Sequence, residues 1–154
     1  MLSARMKQPV FVLPEALTAL KSLSDVVTKS TVPQTTVELI NMRASQINGC
    51  GVCGDGHWRI ARELGETDER LFAVAAWRET PYFTDAERAA LALTEAVTRI
   101  ADTVAPVPDA IWAEAARHYD EKALAALILA IAGINVWNRL NTSVGQVVGA
   151  WKAA

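Results

Sequence analysis

The sequence predicts an all-α fold, a single domain of about seven or eight helices. Three observations carry that expectation. Apolar residues recur at helical spacing and nowhere alternate with the period of two that a half-buried strand requires. Helix start and stop signals punctuate the chain: Pro14, Gly49, Gly65 and the capping box Thr84-Asp-Ala-Glu87, in which the Thr hydroxyl receives the Glu amide while the Glu carboxylate reaches back. β-Branched residues do not cluster as strands favour.

Taken in order, residues 1–13 read as an irregular arm and 14–154 as the domain. Pro14 suits a first helical turn, and Leu17, Leu20, Val26 and Val27 give an apolar stripe as far as Lys29. Ser30 to Thr36, interrupted by Pro33, is a linker. A second helix runs from about Thr35 to Asn48 on Leu39, Ile40, Met42 and Ile47, and Gly49 stops it because glycine tolerates the left-handed backbone. The next spans Cys50 to Leu64 and ends at Gly65. Thr67 caps a fourth, expected to continue to Trp77 or Arg78, and Thr84 starts a fifth that reaches Ile100. After the turn Ala105-Pro-Val-Pro108 come a short helix, Asp109 to Tyr119, and one capped by Asp120, Glu121 to Asn141. The centre of this last helix is apolar on every side, so the domain or a second subunit should enclose it. Ser143 to Trp151 reads as helical despite Gly145 and Gly149.

Composition removes several function classes. Fifteen basic and seventeen acidic side chains leave a net charge of −2, with no Lys/Arg stripe, so nucleic acid is not an expected partner. The N-terminus lacks the apolar core of a signal peptide. The longest apolar stretch, Ala123 to Ile134, is too short for a bilayer, which predicts a cytoplasmic protein without membrane contact. In a reducing compartment a Cys-x-x-Cys is a redox or metal pair before it is a structural staple. The familiar home of that motif is a thioredoxin-like fold, and the βαβ units it needs are missing.

Both cysteines, Cys50 and Cys53, fall in one stretch with His57. On a helix that begins at Cys50 the three occupy i, i+3 and i+7, on one face. The thiols then lie in the first turn, where free amides and the helix dipole favour an anion. A thiol of ordinary pKa, about 8.5, is only about 3% ionised at pH 7, and lowering that pKa by about 1.5 leaves it about half thiolate. In an antiparallel hairpin pivoting at Gly49, Glu38 and His57 differ in level by about 4.5 Å, less than one turn. Glu38 can therefore orient the imidazole, making Glu38, His57 and Cys53 a proton relay. The dipole favours Cys50 as the reactive thiol, whereas proximity to His57 favours Cys53.

The pattern Glu-x11-Cys-x2-Cys-x3-His, formed by Glu38, Cys50, Cys53 and His57, resembles the signature of AhpD-like alkylhydroperoxidases within the carboxymuconolactone decarboxylase family. The segment Ile134-Asn-Val-Trp-Asn-Arg-Leu-Asn141 is similar to the closing part of short, single-domain members. The resemblance covers roughly residues 15 to 150. It implies an all-helical homo-oligomer (dimer, trimer or hexamer) without a bound cofactor that reduces organic hydroperoxides. By that likeness Cys53 attacks the peroxide, Cys50 resolves the sulfenic acid to a disulfide, Glu38 and His57 relay protons, and a thioredoxin-like or lipoyl-bearing dithiol restores the pair. One departure is Val52, where the best known peroxidase of the family has a further His. The lactone-decarboxylating branch lacks the cysteine pair, so decarboxylation is not expected.

Two other classes fit the same residues: a zinc site completed by Glu38 or Asp55, and a non-catalytic redox sensor or scaffold. His118 reads as a helix-end cation. The tryptophans at 58, 77, 112, 137 and 151 read as packing, with Trp58 beside His57 a candidate wall for a peroxide pocket. Asn138, Arg139 and Asn141 are placed to reach the site or an interface.

Overall fold

A computed structural model describes residues 2–149. Among them the secondary structure is helical throughout: α1 (Pro9–Val12), α2 (Pro14–Thr28), α3 (Gln34–Asn48), α4 (Gly51–Glu63), α5 (Asp68–Ala73), a 3-10 turn (Val74–Glu79), α6 (Asp85–Thr98), α7 (Asp109–His118) and α8 (Glu121–Ser143). α3 lies at the centre, packed against α4, α6 and α8, and α2 lies against α8.

Local signals set the helix ends. Gly49 takes φ +67° and lets the Cys50 amide donate to the Ser45 carbonyl at 2.9 Å, which closes α3 and turns the chain into α4. Thr84 and Glu87 form the expected capping box at α6, and Asp120 accepts from the Ala123 amide at α8.

Three apolar layers result. Val27, Ile40, Leu93, Leu127 and Ile131 join α2, α3, α6 and α8. Leu39, Leu71, Val74, Trp77, Phe83 and Leu91 fill the space behind α3 and α6. Ala44, Cys50, Cys53 and Ile134 pack where α3, α4 and α8 meet, with Val52 and Trp137 against them. Polar ties cross between these layers. Asn138, fully buried in α8, accepts from Asn48 Nδ2 at 2.8 Å and donates to Ser45 Oγ at 3.0 Å. Glu95 on α6 accepts from Arg43, Trp77 Nε1 and Arg78 at 2.7–2.9 Å. Burial works to raise the Glu95 carboxyl, but the Trp77, Arg78 and Arg43 bonds outweigh it and hold it below the usual carboxylate range.

Four expectations need correction. The arm is not irregular throughout, because α1 forms one turn and the Arg5 amide bonds the Val144 carbonyl at 2.7 Å. The helix expected from Thr67 to Trp77 is broken into α5 and a 3-10 turn, with Ala76 at non-helical φ −125° and ψ 36°. The segment after Ser143 is turns up to Gly149, since Gly145 and Gly149 adopt positive φ; Trp151 lies outside the described residues. Finally, α8 as a whole, 23 residues, is long and apolar enough to cross a membrane by length and composition. In the fold it turns Ala123, Leu127, Ile131, Ile134 and Asn138 into the core.

Candidate active site

The α3–α4 turn places the cysteines. Cys50 is the N-cap of α4 and its Sγ accepts from the Cys53 amide at 3.3 Å, so the sulfur takes the role a serine oxygen has at other helix starts. Cys50 and Cys53 are joined as a disulfide, with Cα atoms 5.4 Å apart, and both residues are buried. Gly51 lets the Val148 side chain pack close, since a Cβ there would stand only 3.2 Å from it.

One turn on, His57 Nδ1 lies 2.7 Å from Glu38 Oε2. The sequence arithmetic allowed a difference of less than a turn, and the hairpin brings the two into direct contact. Glu38 is buried and its other oxygen accepts from Asn41 Nδ2 at 3.4 Å. With Nδ1 held by the carboxylate, Nε2 is the ring nitrogen left to exchange a proton with a reacting group.

Two further groups come to the site from distant parts of the chain, one bonding Cys53 and the other bonding the first. Asn141 Nδ2, at the end of α8, donates to Cys53 Sγ at 3.3 Å. Gln8 Nε2, from the arm, donates to Asn141 Oδ1 at 3.3 Å. Gln8 is itself buried and fixed, its Oε1 accepting from the Val10 amide at 2.8 Å. Asn141 was among the residues the sequence put within reach of the site or of an interface. Gln8 was not, and no local pattern marks it.

Cys53, His57 and Glu38 line a pocket of about 640 Å³ whose other walls are largely apolar. Each helix contributes one stripe: Gln34, Val37, Glu38 and Asn41 from α3, and Cys53, Gly56, His57 and Ile60 from α4. Cys50 is set behind this surface, among Ala44 and Ile134. Val52 is an apolar part of the wall. Trp137 lines the pocket, whereas Trp58 turns into the layer of Leu39 and Leu91. Asp55 bonds Arg59 at 2.9 Å. No group of three or more His, Cys, Asp or Glu side chains among the described residues is placed to hold a metal ion. His118 bonds Glu114 at 3.1 Å, away from this pocket.

Residues 14–96 match the sequence pattern of the carboxymuconolactone decarboxylase family. The chain belongs to that family. It is 37% identical over 135 residues to the uncharacterized protein YdfG of Bacillus subtilis, covering 88% of this chain and 90% of the relative. It is 36% identical over 107 residues to the uncharacterized protein YnjA of Escherichia coli, covering 69% of this chain and 57% of the relative. Among solved structures it is similar to ATU0492 of Agrobacterium tumefaciens, a protein of unknown function proposed as an antioxidant defence protein AhpD. The TM-score there is 0.88 and the identity 32%, over 96% of this chain and 99% of that one. The debrominase Bmp8 shares the fold, with a TM-score of 0.80 at 24% identity over 92% of this chain and 75% of that one. The protein is therefore an AhpD-like, all-helical member of the family.

Proposed function

We propose that this protein is a thiol peroxidase that reduces organic hydroperoxides, with Cys53 as the attacking thiol. The observation that supports it most is the asymmetry of the cysteine pair. Cys53 borders the apolar pocket together with His57 and Glu38, while Cys50 sits behind it at the helix N-cap.

In the reduced protein, His57, oriented by Glu38, takes the Cys53 proton. The thiolate attacks the distal peroxide oxygen; the O–O bond breaks, Cys53 becomes a sulfenic acid, and the alkoxide leaves as an alcohol with the proton returned through His57. Cys50, contiguous with it, displaces water from the sulfenic acid to give the disulfide, the oxidised state in which the pair stands here. A dithiol donor, thioredoxin-like or lipoyl-bearing, attacks Cys53 and releases Cys50. The helix N-cap stabilises that departing thiolate through the Cys53 amide. The donor ends as a disulfide, so two electrons pass from dithiol to peroxide in each cycle. Asn141 supports the cycle by donating to Cys53 Sγ. The working form is a cytoplasmic homo-oligomer, a reading supported by Phe11, Val12 and Leu13, all more than half exposed at the start of the chain.

The test is consumption of cumene hydroperoxide with dithiothreitol as donor. Sustained turnover that is abolished by Cys53→Ser and by Cys50→Ser is the expected result. A single equivalent consumed without turnover would make the pair a redox sensor and overturn the enzymatic reading.

A further inference from the structure

The pocket beside Cys53 is larger than a thiol and a small peroxide require. Along α8 its lining runs from Leu129 to Asn141. Twelve residues of helix rise make that about 18 Å. Leu23, Val27, Ile60, Ile134 and Trp137 give it apolar walls, so its natural content is an extended hydrocarbon rather than a compact polar molecule.

Apart from Cys53, three charged or titratable groups line it: Glu38, His57 and Lys21. The first two are bonded to each other. Lys21, exposed on α2, has no hydrogen bond or ion pair among the described residues. Its neighbours in the lining do not compete for it. The Ser24 and Thr28 hydroxyls donate to carbonyls of their own helix, and the Gln34 amide donates to the Thr28 carbonyl. Asp25, the next acidic residue along α2, does not line the pocket. An apolar groove thus carries one uncompensated cation on its rim, and the complement of that arrangement is an amphipathic anion.

We propose that the groove binds a long-chain aliphatic carboxylic acid, with its carboxylate on Lys21 and its chain along α8, and that the hydroperoxide of such an acid is the substrate. The substrate half rests on the peroxidase reading; the binding half does not. The chemistry is unchanged: the hydroperoxyl group of the acid becomes a hydroxyl, the pair becomes a disulfide, and the carboxylate takes no part.

The experiment has two arms, each comparing acid with methyl ester, which separates a free acid from an esterified lipid. Binding of oleate and of methyl oleate to the oxidised protein is measured by calorimetry, in wild type and in Lys21→Met. Oleate should bind about two- to fivefold more tightly than its ester at low salt, the upper part of the range for one solvent-accessible ion pair. The preference should shrink as salt rises and vanish in Lys21→Met. Turnover of linoleic acid hydroperoxide and its methyl ester should show the same preference in kcat/KM, with cumene hydroperoxide unaffected by the substitution. Equal binding of acid and ester, or a preference that survives Lys21→Met, would overturn the site while leaving peroxidase activity on cumene hydroperoxide intact. Preferential oleate binding without turnover of any hydroperoxide would instead keep the site and overturn the substrate assignment.

Discussion

Replacing Asn141 by leucine tests whether its amide would favour a thiolate at Cys53 once the disulfide is reduced, as the proposed mechanism requires. The substitution keeps roughly the side-chain volume and removes the amide that, among the described residues, donates to Cys53 Sγ, at 3.3 Å. Hydrogen bonds to charged groups contribute about 1.5–3 kcal/mol, and a sulfur acceptor at this distance belongs at the lower end. About 1.5 kcal/mol withdrawn from the ionised form alone moves a titration midpoint by about one pH unit. The expected direction is upward, because an amide that donates to the sulfur of the reduced protein favours its anion. The assay is the pH dependence of iodoacetamide alkylation of Cys53 in a Cys50→Ser background, with and without Asn141→Leu. Asn141→Leu also strands the buried Gln8 amide, at a cost of about 1–3 kcal/mol in stability. Gln8→Leu separates the two effects: it should destabilise by a similar amount but shift the alkylation midpoint less than Asn141→Leu does. An unchanged midpoint in Asn141→Leu would refute the reasoning.

Three other outcomes follow from named contacts. On the proposed relay through the 2.7 Å contact, Glu38→Gln should lower turnover on the order of 10²-fold and adding His57→Ala should cost little more; additive losses in the double mutant would argue against a relay. Glu95→Ala should destabilise the fold by about 3 kcal/mol, since it leaves Arg43 without its carboxylate. For a chain of this size that is roughly 6–12 °C in Tm by calorimetry. The Glu95 carboxyl is held low, so its contribution is complete above the ordinary carboxylate range and is lost as pH falls below that range through the lowered folded value. Tyr119 has the opposite sign. Burial, with Glu87 adding to it, pushes its phenol up to about 12, and its hydroxyl donates to the Ala86 carbonyl. Its contribution is complete below the unfolded value of about 10 and is lost as pH rises towards 12, so Tyr119→Phe should flatten the alkaline fall in chemical-denaturation midpoint.

What could be read in the sequence was what local chemistry determines. Gly49, the Thr84–Glu87 box and Asp120 act within a few residues of themselves, and each lies where the helix ends require. Cys50, Cys53 and His57 share a face because they share a helix, and Glu38 meets His57 because a glycine turn fixes how two helices face each other. The positions were legible in this way, whereas the roles of the four residues await experiment. The illegible part was long-range or depended on backbone turns that periodicity does not record. Gln8 reaches Asn141 across 133 residues of sequence, and only the docking of the arm on the end of α8 brings them together. Trp58 adjoins His57 in sequence yet points into the opposite layer, while Trp137 comes to the pocket from α8. The break at Ala76 and the glycine turns after Ser143 interrupt stretches whose composition alone favours helix.

The central claim is that Cys53 is the thiol that meets the peroxide. The most direct measurement is intact mass of the reduced protein after one equivalent of cumene hydroperoxide, with dimedone present to trap sulfenic acid. The account predicts that wild type loses two hydrogens and that Cys50→Ser gains one dimedone adduct, mapped to Cys53, while Cys53→Ser gains none. An adduct on Cys50 in Cys53→Ser, with none in Cys50→Ser, would contradict it, as would thiols that remain reduced in wild type.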